Sequence, residues 1–164
     1  MTREEAIERL TEAAKEDIPR FLGLGLDMRV EVKYNSALFR EVSNLKRAKY
    51  INILLIFSKE GLTEEEEYRL GMIAEVKLGQ ISEEDIEKEI EGFRTATDEA
   101  YAALSSADNK AERVKELTKE AEEEFNKYLE EFNQARSKGN TLQSVAAVLI
   151  VVGLLIIFLL ATRG

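Results

Sequence analysis

The sequence contains no cysteine, no histidine and no tryptophan, and its single proline is Pro19. Without cysteine there are no disulfides, no thiolate nucleophile and no cysteine-ligated zinc. Without histidine the usual general base near neutral pH is missing, as is the commonest transition-metal ligand. Positive charge is also scarce, with 23 Lys and Arg against 32 Asp and Glu, a net charge of −9. The deficit is uneven. Residues 1–79 carry 13 basic and 15 acidic groups, whereas residues 80–138 carry 9 and 17. The second stretch should be repelled by nucleic acid and by anionic lipid headgroups.

Catalytic and phosphate-binding patterns are absent too. Gly71 and Gly79 belong to no phosphate loop, and no serine sits in a nucleophile elbow. Asp108-Asn109 lacks the alternating acids and closing Glu of a calcium loop. Glu64–Glu67 and Glu122–Glu124 are acidic runs, but consecutive helix residues point around the helix and do not converge on one ion. The expectation is therefore no catalytic residue, no cofactor and no metal site.

What is present begins with a long apolar run. No charged residue occurs from Gly139 to Thr162, and Val145 to Ala161 is almost wholly apolar. A helix rises about 1.5 Å per residue, so about 20 residues cross the hydrocarbon core. The run reads as a transmembrane helix, with Val145, Leu149, Ile150, Leu154, Leu155, Ile157, Phe158 and Leu159 in contact with lipid. Met1-Thr-Arg-Glu-Glu is polar, unlike a secretory signal. The expected topology is a single-pass, tail-anchored protein with a cytoplasmic body and its C-terminus on the far side. Arg136 and Lys138 against Arg163 give a small bias in the same direction.

The rest predicts an α+β fold, mostly helical. Thr2 and Glu5 have capping-box spacing before a helix over about 3–17, which Pro19 should end. Met28, Val30, Val32 and Tyr34 alternate with Arg29, Glu31 and Lys33, the pattern of a half-buried strand. Residues 37–49 fit either helix or strand. Tyr50 to Phe57 is a continuous apolar run, read as a buried strand because isoleucine and aromatics dominate it. Thr63 should cap a helix reaching Leu78, closed by Gly79. Arg40, Lys46, Arg47 and Lys49 form a basic cluster, either a solvated face or a contact for anionic lipid or an acidic partner.

From Ile86 a heptad seam runs through Ile90, Phe93, Thr97, Ala100, Leu104, Ala107, Ala111, Val114, Thr118, Ala121, Phe125, Tyr128, Phe132 and Ala135. Its steps alternate four and three without a slip, the signature of a helix packed on another helix. The unbroken phase favours one rod. Ser105-Ser-Ala-Asp-Asn109 argues instead for a hairpin, with Ser106 or Asp108 capping a second helix at Lys110. The middle of the seam is small and its distal end aromatic, so it suits close approach to a bulkier helix rather than a self-sufficient zipper.

The expected organisation is a small α+β module over 1–79, an acidic helical stalk over 80–138, and a transmembrane anchor over 139–164. A membrane span beside a heptad seam resembles the layout of SNARE fusion proteins. That family places Gln or Arg at mid-seam, where this sequence has Ala107, Ala111, Val114 and Thr118. The resemblance implies tethering or fusion, as the alternative to a non-enzymatic interaction module or accessory subunit of a membrane complex. A membrane-bound enzyme is the remaining alternative. The expected partners are the bilayer and other protein helices, in a hetero-complex or homo-oligomer. Partner contact is assigned to Ala100, Leu104, Ala107, Ala111, Val114, Thr118, Ala121, Phe125, Tyr128 and Phe132.

Overall fold

A computed structural model describes residues 1–34 and 49–137. Helix α1 (Arg3–Glu16) starts at the expected capping box. The Thr2 hydroxyl accepts the Glu5 N–H at 3.2 Å, and the Glu5 carboxylate accepts the Thr2 N–H at 2.7 Å. Two amides that the first turn would leave unpaired are thus satisfied. Pro19 does not stop the chain from turning helical. It lies in the first turn of a short helix α2 (Ile18–Leu22), where its missing N–H costs nothing.

Strands β1 (Asp27–Tyr34) and β2 (Lys49–Ser58) occupy the alternating and the apolar segments. They pair antiparallel, with Val30 opposite Leu55. Every residue from Ile51 to Phe57 is buried, because β2 is the central strand and both its faces are covered.

The helix expected from Thr63 to Leu78 is not formed. Thr63 does cap, its N–H donating to the Glu66 carboxylate at 3.1 Å, but the helix lasts one 3-10 turn, Glu64–Glu66. Tyr68–Val76 is strand β3, antiparallel to β2 with Leu70 opposite Leu55. Tyr68, Leu70, Met72, Ala74 and Val76 recur every second residue and face the helices, while Gly71 disfavours a helix by about 1 kcal/mol. The open edge of β2 decides between the two periods. Gly79 accordingly closes no helix. It belongs to a tight turn in which Lys77 and Gln80 exchange two backbone hydrogen bonds of 2.9 Å.

Helix α3 (Glu83–Ser105) is capped by Ser82, whose hydroxyl accepts the Asp85 N–H at 3.3 Å. Helix α4 (Lys110–Ser137) follows a four-residue break. The single rod is therefore corrected to two helices. The break falls in the loop-like 105–109 stretch, where the Ser106 hydroxyl donates to the Ala102 carbonyl at 2.9 Å. The cap of α4 is Asn109 rather than Ser106 or Asp108, its side-chain oxygen accepting the Glu112 N–H at 3.1 Å. Besides contacting α3, α4 packs on β2, β3 and the 3-10 turn.

One apolar core joins Leu10 and Ala14 of α1, Phe21, Ile53 and Phe57, Met72, Phe93 and Leu104 of α3, and Val114 of α4. Residues on both sides of position 79 thus share it. Phe21 meets Phe57 edge-on at 4.7 Å between ring centres, and Tyr101 at 5.7 Å. Leu54 and Ile56 point the other way, forming a small second cluster with Ile73. Among the described residues, no helix is long and apolar enough to cross a membrane. The run 145–161, with its eight expected lipid-contacting residues, lies outside the described residues, as does 37–48.

Candidate interaction surface

The seam splits into two stretches with different surroundings. In α3, Ile86, Ile90, Phe93, Thr97, Ala100 and Leu104 are buried against the chain's own sheet and α1. Ala107 lies half-buried in the break. In α4, Val114 and Thr118 are buried and Ala111 and Leu117 half-buried. Of the ten residues assigned to partner contact, Ala100, Leu104, Val114 and Thr118 are thus enclosed by this chain. Ala121, Phe125 and Tyr128 are half-buried, and past Thr118 no described residue is fully buried. The side chain of Phe132 lies outside the described residues.

The two seam threonines explain why the seam departs from apolar residues where it does. The Thr97 hydroxyl donates to the Asp17 carboxylate at 2.8 Å, at the junction of α1 and α2. The Thr118 hydroxyl lies 3.0 Å from the Glu66 carbonyl and 2.9 Å from that of Val114. Each threonine ties a helix to the body through a polar group that burial would otherwise leave unpaired. The signal was available: a threonine at an otherwise apolar seam position marks a buried acceptor on the facing element.

Charged contacts surround this packing. Arg20 bridges Asp98 at 2.8 Å and Asp17 at 3.1 Å, and Arg94 meets Glu16 at 3.2 Å. Arg9 pairs with Glu83 and Glu87. All but the local Arg20–Asp17 pair fasten α1 and α2 to α3, although exposed pairs contribute little each. Beyond Arg113, which bonds Glu116 and Glu120 at 3.0 Å each, α4 carries mainly acidic groups.

A second polar group lies on the sheet face away from the helices. Buried Glu67 is gripped by two guanidinium nitrogens of Arg29, which holds that cation's pKa above its ordinary value. Buried Arg69 donates to the carbonyls of Glu64 and Glu67 at 3.0 and 3.1 Å, and burial lowers its pKa. Arg69 therefore ends the 3-10 turn, and Arg29 ties β1 to the start of β3. These are structural roles. The Tyr68 phenol, largely enclosed, is pushed up to about 12, chiefly by burial.

Among the described residues, no group of three or more carboxylates is arranged to hold a metal ion. No family model, curated protein or solved structure matches the chain. The described residues thus define an α+β domain whose last helix is mainly acidic beyond Arg113 and has no fully buried described residue past Thr118, and that stretch is the candidate surface.

Proposed function

We propose that this is a membrane-held, non-enzymatic interaction protein. In this reading the uncharged run Val145–Ala161 spans the bilayer, and the α+β domain sits on the cytoplasmic side. Helix α4 bridges the two, and its distal seam residues Ala121, Phe125, Tyr128 and Phe132 engage helices of another protein in a membrane complex. The carrying observation is the apolar run itself, 17 residues without a charge or a polar face. A second feature supports the partner surface. A helix stretch of about 19 residues that fully buries no described side chain is marginal by itself in water.

A SNARE-like bundle over the whole seam is disfavoured on energy. It would draw Leu104, Val114 and Thr118 out of the core, and each large apolar side chain so exposed costs about 2 kcal/mol.

Two measurements test the reading. After alkaline carbonate washing, the full chain should remain with the membrane pellet, and protease added outside intact cells should leave the domain uncut. A chain released into the supernatant refutes the span. For the partner surface, the double variant Phe125→Glu/Tyr128→Glu should lose co-purifying proteins in mild detergent while thermal unfolding of the domain is unchanged. If the same partners remain, the distal seam is not the interface.

A further inference from the structure

The two edges of the sheet are treated differently. At β3, the outer edge is covered by α3, and the Ile73 N–H donates to the Glu89 carboxylate at 3.1 Å. At β1, the strand order β1-β2-β3 ends, and among the described residues nothing pairs with its outer side. An unpaired edge presents a row of backbone donors and acceptors to another strand. Apolar surface is exposed beside it. Val32 lies on the helix-covered face of β1 yet is 47 % exposed, and Leu22 of α2, the helix packed along β1, is 52 % exposed.

The sequence of that edge is complementary to itself. Reading outward from Val30 gives Arg29 and Glu31, then Met28 and Val32, then Asp27 and Lys33. We propose that β1 pairs antiparallel with β1 of a second copy of this chain, across a two-fold axis through Val30, forming a continuous six-stranded sheet. In that register Arg29 of each copy faces Glu31 of the other, and Asp27 faces Lys33. Met28 faces Val32 on the helix-covered side, and Val30 faces itself. Every charge lies opposite its counter-charge and every apolar residue opposite an apolar one, the two kinds of cross-strand pair that stabilise a sheet. Arg29 also bonds Glu67 and Glu31 of its own chain, so Asp27–Lys33 is the charge pair free to form across the axis. A shift that moves the axis to Glu31 sets Glu31 against Glu31 and Arg29 against Lys33. A shift to Arg29 sets Arg29 against Arg29 and Asp27 against Glu31. A register with the axis between residues forms no ladder, because it sets residues whose amides turn outward against residues whose amides turn inward. The pattern thus selects one register. It is independent of which residues of β1 turn their amides outward, because opposite residues always share parity. The surface differs from the distal seam of α4, and its test does not depend on a membrane span.

The test uses the full chain in detergent. Sedimentation equilibrium should find a dimer at tens of micromolar. Asp27→Lys and Lys33→Asp each place like charges at two symmetric positions and should weaken that dimer about tenfold. The double variant Asp27→Lys/Lys33→Asp restores opposite charges and should return to within about twofold of the parent. Neither residue belongs to the Arg29–Glu67 contact, and circular dichroism of the double variant checks that the fold survives. Because the chain has no cysteine, Val30→Cys adds a single reporter. Opposed antiparallel residues have Cα atoms about 4.5–5.5 Å apart, within disulfide reach, so mild oxidation should link the two copies at that position. A monomeric chain overturns the proposal. So does a dimer that ignores both single swaps, or one that fails to cross-link through position 30.

Discussion

Replacing Leu78 with asparagine should stabilise the protein, although leucine is usually the more stabilising residue. Leu78 and Gly79 are the two central residues of the turn between β3 and α3, with φ of 51° and 77°. Positive φ at both positions is the signature of a type I′ turn, for which Asn-Gly is the preferred pair. A leucine Cβ in the left-handed region crowds the following carbonyl, at a cost of about 1–2 kcal/mol. Asparagine tolerates that region better because its short side chain bonds to the local backbone. Nothing offsets the penalty, since Leu78 is 104 % exposed and its removal loses no burial. Leu78→Asn should therefore gain about 1 kcal/mol. For a domain of this size that is a rise in Tm of about 4 °C. Thermal and urea unfolding followed by circular dichroism read it directly. Leu78→Ala, which keeps the Cβ, should stay within about 0.5 kcal/mol of the parent, and Leu78→Gly should gain. If Leu78→Asn is no more stable than Leu78→Ala, the strain argument fails.

Three further outcomes follow from the same structure. Phe57 is fully buried against Phe21, so Phe57→Ala should cost about 3–5 kcal/mol in urea unfolding; a cost below about 1.5 would mean that ring pair is not central to the core. Thr118→Val keeps the volume but leaves the Glu66 carbonyl without the hydroxyl 3.0 Å away; it should cost about 1–2 kcal/mol and speed amide exchange in the first turns of α4, and unchanged exchange would refute the latch. Glu89 is raised above the ordinary carboxyl range by burial, against the lowering effect of the Ile73 N–H. Its folded state keeps the proton to higher pH than the unfolded chain, so its contribution is fullest below about pH 4 and is lost as pH climbs through the raised value. Glu89→Gln cannot ionise, so its stability relative to the parent should improve from pH 4 to pH 7, and a constant or shrinking difference would contradict the assignment.

The elements that could be read from the residues are those whose signal is local. Thr2 and Glu5 specify a helix start by bonds within one turn, and the alternation of β1 and the apolar run of β2 need no knowledge of their neighbours. β3 was missed because its residues carry two periods at once. Leu70, Ile73 and Ala74 satisfy a helix, whereas Tyr68, Leu70, Met72, Ala74 and Val76 satisfy a strand, and only the unpaired edge of β2 separates them. Gly71 was the available hint, since it weakens a helix and stands opposite Leu54 in the sheet. The burial of Glu67 and Arg69 had no local signal, because Arg29, which holds Glu67, comes from the far strand of the sheet.

The seam makes the same point about interfaces. Its phase runs through the break at 106–109 without a slip, so continuity of spacing says nothing about continuity of the helix. Nor does spacing name the partner. Up to Thr118 the stripe faces the sheet of its own chain, and the two threonines meet Asp17 and the Glu66 carbonyl there. Beyond it, Ala121, Phe125 and Tyr128 are only half-buried, and the surrounding charge turns mainly acidic. Large aromatic residues supply most of the burial when a surface must hold a partner with few contacts. Burial, rather than spacing or side-chain size, is thus what marks off the stretch that folds the domain, from Ile86 to Thr118, from the stretch past Thr118 that we propose as a partner surface.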